Sequence, residues 1–244
     1  MVLLYIPPVQ NLLRREVTAY ASKATGMQIQ VERIDLRFPL NLLVRGVEVI
    51  QQPDTLLSLE SLNVRVQAWP LLKGKVEVDE VTLSQVAVNS ANLIEGMQIK
   101  GVLGRFFLQS HGVDLSNETA VVNRTELSDT HIQLLMTDTT TTPKDTTASA
   151  PVNWKVNLHQ LKLKNVSFGM KLPADSMKMA AYIGEATIDD AKADLKNQFY
   201  GLKQFLLSGA SASYDTGEAQ PSEGFDASHM AVRNIRIGLD SLLY

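Results

Sequence analysis

The chain contains no cysteine among its 244 residues. That excludes disulfide frameworks, zinc knuckles, thiol nucleophiles and Cys-ligated clusters. It has no cationic excess either: 23 Lys+Arg face 26 Asp+Glu, for a formal net charge of -3, and no basic block stands out. A nucleic-acid binder needs a cationic face, so nucleic acid is not an expected partner. Aromatic residues make up only 6%. The 45% hydrophobic share is therefore carried mostly by Val, Leu, Ile, Ala and Met. That share is too high for a wholly disordered chain. A bilayer span takes roughly 20 consecutive apolar residues. The leading apolar run, Met1 to Ile6, is much shorter. It also lacks the charged start and small-residue cleavage site of a signal peptide.

Catalytic signatures are missing too. His111, His131, His159 and His229 form no HExxH and no two-His spacing suited to one metal. Ser211 and Ser213 follow Gly209 at the wrong spacing for a nucleophile elbow. Gly96 to Gly101 opens like a phosphate loop, but Val102 and Leu103 stand where Lys and Ser or Thr are needed. Gly101, Gly104 and Arg105-Phe106-Phe107 read instead as a turn and a strand. Asp189-Asp190 reads as a solvated turn rather than a catalytic dyad, because adjacent strand residues point to opposite faces. The expectation is a protein that is not an enzyme, with no metal and no cofactor.

What the sequence does have is pattern. Pro7-Pro8 suits the first turn of a helix. Val9, Leu12, Leu13, Val17, Tyr20, Ala21 and Ala24 recur at helical spacing, and Gly26 is placed to end the segment. Two readings stand for this amphipathic helix over 9–26: a plug on the end of a core, or a helix at a membrane surface. Residues 1–8 read either as an ordinary apolar start or as the end of a trimmed membrane anchor.

Beyond the helix a different rhythm takes over. Val76, Val78, Val81, Leu83, Val86 and Val88 alternate with polar residues, with two polar residues inserted at intervals. Val156, Leu158, Leu161, Leu163, Val166 and Phe168 repeat the same spacing. Shorter copies run through Ile29–Leu36, Leu42–Val49, Leu57–Val64 and Met230–Ile237. Alternation means a strand with one apolar face. A pair of polar residues would throw the next apolar side chain to the other face unless a β-bulge absorbs one of them. The sequence therefore describes long, bulged, twisted antiparallel strands, with short β-solenoid rungs as the competing geometry. Two coverings of the apolar face remain open, a closed β-core or a curved single sheet that leaves an apolar trough. A weak helical reading over Ser176–Gln204 contains Gly184 and Gly201. The Thr-rich, apolar-poor stretch 137–151 reads as an exposed loop separating a first β-section (27–136) from a second (152–244). The last patterned run has no polar cap after it, so the pattern is expected to continue beyond this fragment.

Together, Val9-Gln10, the helix, Thr25-Gly26, Phe38-Pro39, Trp69-Pro70-Leu71-Leu72-Lys73-Gly74 and the Val76–Val88 run resemble the N-terminal part of the AsmA-like family. The likeness is strongest to TamB-type translocation and assembly module proteins of diderm bacteria. The resemblance implies a mainly β fold curved into an open, taco-like apolar groove. It implies a periplasmic body anchored in the inner membrane by an N-terminal helix, with Leu3, Leu4 and Ile6 as the end of that anchor. The two valine- and leucine-rich runs, Val76 to Val88 and Val156 to Phe168, would line the groove. The implied partner is phospholipid, moved between inner and outer membranes in support of outer-membrane biogenesis. A barrel partner in the outer membrane would engage the C-terminal region that this chain lacks. The alternative role is a module that binds unfolded outer-membrane strands by edge pairing.

Overall fold

The structure, a computed structural model, describes residues 7–51, 53–67, 69–70, 77–91, 93–114, 118–136, 153–218 and 223–243. One helix, α1 (Pro7–Thr25), precedes ten strands. These are β1 (Gln28–Arg37), β2 (Asn41–Gln51), β3 (Asp54–Val66), β4 (Val78–Asn89), β5 (Met97–Asp114), β6 (Thr119–Met136), β7 (Lys155–Leu172), β8 (Met177–Asp194), β9 (Phe199–Asp215) and β10 (His229–Leu243). All ten form one sheet in sequential order, and the sheet is not closed into a barrel. Strands of 10 to 18 residues replace the short rungs of a solenoid.

Helix α1 begins at Pro7, whose missing N–H is harmless in the first turn. It ends where Gly26 takes a φ of 69° and its N–H donates to the Ser22 carbonyl at 3.0 Å. The helix lies along the outer edge of β1. Arg14 Nη1 donates to the Glu32 carbonyl at 2.7 Å, and the Ile29 N–H donates to Ser22 Oγ at 3.0 Å. An edge strand's unpaired backbone groups invite foreign strands, and α1 satisfies several of those on β1.

The register arranges the sheet in transverse rows. Leu36, Leu42, Val64, Val81, Leu108, Thr125, Leu161, Ile188, Phe205 and Leu239 face one another in turn across all ten strands. The residue beside each of these points to the opposite face. Those neighbours form a second row: Arg37, Asn41, Arg65, Glu80, Gln109, Arg124, Gln160, Asp189, Gln204 and Asp240. The polar row bonds along itself. Arg65 meets Glu80 at 3.2 Å, Gln160 Nε2 donates to Asp189 at 3.2 Å, and Gln204 Nε2 donates to Asp240 at 3.1 Å. One face of the sheet is thus aliphatic, and the other carries polar groups that bond in part to one another, while Asn41 Oδ1 and Asn63 Oδ1 are buried without a hydrogen-bond partner among the described residues.

The inserted polar pairs resolve in an unexpected way. Register shifts do occur, for example between Val49 and Ile50, between Arg65 and Val66, and around Ser110 and Ile235. In mid-sheet, however, the extra residue sits at the same level in neighbouring strands, so from β1 to β9 the register continues unbroken on either side. Gly46, Gln85, Asp129, Asn165, Gly209 and Asn234 adopt positive φ along this seam, between 49° and 62°. A left-handed residue turns the chain back to its original face, and Gly, Asn and Asp reach that conformation at least cost.

Several expectations change. The β6–β7 pair is parallel, so the sheet is mixed rather than wholly antiparallel. A two-residue hairpin cannot join parallel strands, which accounts for the long polar stretch 137–151 between them. Because β6 and β7 pair directly, the two expected sections belong to one sheet. The span Ser176–Gln204 falls on β8 and β9, not a helix, since Tyr182, Ile183, Thr187 and Ile188 pair with β7. Gly101 and Gly104 lie inside β5, and Asp189-Asp190 inside β8, rather than in turns.

Candidate apolar face

Four consecutive rows make up the aliphatic face. The first is the Leu36–Leu239 row above. The second contains Ile34, Val44, Leu62, Leu83, Phe106, Leu127, Leu163, Ala186, Leu207 and Ile237. Beyond the seam, Val86 and Val166 lie in a third row with Val31, Val47, Leu59, Leu103, Thr130 and Ile183. Val88 and Phe168 lie in a fourth with Ile29, Val49, Leu57, Gly101, Ile132 and Ala181.

The structure therefore brings the two sequence copies together by row. Val81 shares a row with Leu161, Leu83 with Leu163, Val86 with Val166, and Val88 with Phe168. Val78 opens β4 opposite Val66, while Leu158 faces Val122 and Ala191, and Val156 faces Ala120 and Ala193. Val76, and Leu3, Leu4 and Ile6, the expected end of an anchor, lie outside the described residues.

The remaining strands carry the same rhythm in disguise. Gly101, Leu103, Phe106 and Leu108 on β5 repeat the spacing. So do Thr125, Leu127, Thr130 and Ile132 on β6, and Ala181, Ile183, Ala186 and Ile188 on β8. Gly, Ala and Thr stand where a search for branched aliphatics finds nothing. The signal was the interval, not the residue type.

Nothing substantial covers this face among the described residues. The main packing contacts join sheet neighbours, with α1 on β1 as the other large one. Among the described residues no large side chain is fully buried, and Ile34, Leu56, Ala120, Ala186 and Ala210 are the buried apolar ones. Ala181 continues the fourth row through Ala212 to Val232, and in that row Val88, Ile132, Phe168 and Val232 are 37%, 41%, 42% and 57% exposed. A globular domain of this size would bury such side chains.

A depression of about 710 Å³ lies at one end of the sheet, lined by residues from every strand between β5 and β10. A second, of about 580 Å³, adjoins it along β6 to β10 and shares Gln133, Gly169, Ala180, Ser213 and Ala231. At the opposite end, Phe38 in the β1–β2 turn and Trp69 after β3 are 86% and 76% exposed.

The histidines are spread over separate strands. His159 Nδ1 lies 3.1 Å from Asp190 Oδ1, and Lys203 reaches the other Asp190 oxygen at 3.6 Å. The His159 hydrogen bond, with help from Lys203, holds the Asp190 carboxyl below the usual carboxylate range. His229 bridges Asp226 at 3.0 Å and Asp215 at 3.4 Å. His111 Nδ1 lies 3.0 Å from Asn123, and His131 Nδ1 lies 2.7 Å from Ser167 Oγ. Among the described residues no group of three or more His, Asp or Glu is arranged to hold a metal ion, and no helix is long and apolar enough to cross a membrane. Set against known proteins, the chain matches no family model and no curated sequence.

Proposed function

We propose that this chain is part of a bridge-like lipid-transfer protein, in which the aliphatic face carries phospholipid acyl chains and headgroups stay wet. The observation that carries this reading is the set of four apolar rows, crossing the sheet and left without a packing partner among the described residues. Exposed apolar surface on that scale needs an occupant. Burying a methylene contributes about 0.8 kcal/mol. A chain of roughly 14 methylenes lying one-sided on a sheet would gain about half of the full burial, near 5–6 kcal/mol. Equivalent rows repeat the same shallow contact, so a lipid held by that amount slides from one position to the next.

In this reading the protein works in the periplasm between inner and outer membranes, anchored by its N-terminal segment. The exposure of Phe38 and Trp69 on one end of the sheet supports a membrane-facing end, because aromatic side chains settle at headgroup level. The protein performs no catalysis here, and transfer is passive.

Native mass spectrometry of the chain purified without detergent tests the reading. Adducts at phospholipid masses, released by organic extraction, are expected. A ligand-free spectrum, with no uptake on exposure to vesicles, overturns it.

A second reading rests on the far edge of the sheet. Helix α1 covers the β1 edge, whereas no described element pairs with the outer edge of β10. That edge could accept an unfolded outer-membrane strand by β-augmentation. Crosslinks from β10 to nascent barrel proteins, with none from the aliphatic face to lipid, would favour this role.

A further inference from the structure

Among the described residues no element pairs with the outer edge of β10, so its backbone donors and acceptors are open to another strand. The β1 edge is different, because α1 lies along it. A second copy of the chain cannot add its β10 to β1 without displacing that helix, which leaves β10 against β10. Between the left-handed residues Asn234 and Ser241, with φ at 55° and 63°, β10 reads Ile235-Arg236-Ile237-Gly238-Leu239-Asp240. Ile237 and Leu239 lie in the aliphatic rows, opposite Leu207 and Phe205, so Arg236, Gly238 and Asp240 point to the polar face. Ile237 and Leu239 are 41% and 38% exposed, and Arg236 and Asp240 are exposed as well. Gln204 Nε2 on β9 donates to Asp240 Oδ1 at 3.1 Å, which holds the carboxylate in the polar row. This short run is self-complementary. In an antiparallel pair, residues directly opposite each other share a face. With two strands centred on Gly238, Ile237 of one copy stands opposite Leu239 of the other and Arg236 opposite Asp240, each pair occurring twice. No other two-fold register of this run sets opposite charges across from each other. A centre at Arg236 or at Asp240 sets like charges together instead.

The geometry points to a second copy of this chain as the partner of the β10 edge, paired antiparallel about a two-fold axis at Gly238. The axis stands perpendicular to the sheet, so the two aliphatic faces lie on the same side. Such an isologous contact closes on itself. The run from Arg236 to Asp240 is short, so the interface falls below the area of a permanent dimer and the association is weak and concentration-dependent. This pairing is independent of what the aliphatic face carries.

Sedimentation of the full chain from about 5 to about 200 μM tests the pairing. Wild type should shift from monomer towards dimer over that range. Arg236→Glu sets two carboxylates opposite each other on both sides of the two-fold axis, so dimerisation should weaken about tenfold. Asp240→Arg should weaken it by a similar factor. R236E/D240R restores opposite charges and should recover the wild-type association. Unchanged circular dichroism in all three variants separates the effect from misfolding. The chain has no cysteine, so Gly238→Cys reports the register directly. A Cβ at that position would have Leu206 Cδ2 as its nearest neighbour, at 3.7 Å, an ordinary contact. Cross-strand Cα atoms about 4.5–5.5 Å apart suit a disulfide, and mild oxidation of this variant should give a covalent dimer. A wild type that stays monomeric throughout, single reversals that leave association unchanged, or a double variant that does not recover it overturns the pairing. So does a Gly238→Cys variant that forms no covalent dimer. Binding of an added extended peptide along β10 by a monomeric wild type also overturns it, and gives the edge to a foreign strand.

Discussion

Gly104 on β5 lies so close to Asp129 on β6 that a Cβ on the glycine would sit 2.7 Å from the Asp129 Cβ and 2.9 Å from its carbonyl oxygen. Asp129 occupies the left-handed region, with φ at 52°, and Asn165 Nδ2 on β7 donates to its carboxylate at 2.8 Å. This contact is one step of the seam that lets every strand carry an extra residue and still return its aliphatic side chains to one face.

A methyl group at position 104 therefore has to push backbone aside. Gly104→Ala should destabilise the protein by about 1–3 kcal/mol, the usual range for overpacking. Gly169→Ala, whose nearest neighbour would be 3.9 Å away, should cost much less. Urea unfolding of the two variants measures the difference, and equal midpoints would contradict the seam's close contact.

Gln85 makes the opposite prediction. It holds a φ of 49° without being Gly, Asn or Asp, and an L-residue in that region carries roughly 1–2 kcal/mol of strain. Gly loses more chain entropy on folding, which returns part of that. Gln85→Gly should raise stability by about 0.5–1 kcal/mol, read as a higher urea midpoint.

Much of this was legible in the sequence, and the parts that were not have physical causes. The helix was legible over 9–26 with Gly26 at its end, and the structure starts it two residues earlier, at Pro7. The apolar face followed from the paired runs on β4 and β7, because alternation reports directly on a half-covered strand. The seam was read as bulges, since one strand's sequence cannot reveal that its neighbour carries a matching extra residue. The parallel β6–β7 pair was missed because direction depends on where the connection returns, and a polar stretch says nothing of that. The helical reading over Ser176–Gln204 arose from Ala-rich strands, in which small residues blur the period.

Acid titration should find two displaced carboxylates. Asp190 is lowered chiefly by its hydrogen bond from His159, and Asp194 chiefly by the backbone N–H of Asn197. A carboxyl whose folded value is depressed adds stability that is complete above the ordinary aspartate range, near pH 4. That contribution is lost as pH falls through the lowered folded value. Carboxyl-carbon NMR should show both titrating below free aspartate. His159→Gln should move Asp190 upward and leave Asp194 where it is.

Arg14 carries the protection of the β1 edge. Arg14→Ala removes the donor to the Glu32 carbonyl and should cost about 1 kcal/mol, at the low end for a charged donor because the contact is exposed. The more telling readout is local. Hydrogen exchange of β1 amides should accelerate while that of β7 does not, and concentration-dependent association should increase as the edge becomes available.

The central claim is that lipid lies on one face of the sheet and not the other. Leu83 and Thr82 are neighbours on β4, facing Phe106 and Phe107 of β5 respectively, and they point to opposite sides. A photo-crosslinking residue placed in turn at Leu83 and at Thr82, activated in cells, measures this directly. Phospholipid adducts from position 83 and none from position 82 are the expected result. Adducts from both positions alike, or from neither, would contradict the account.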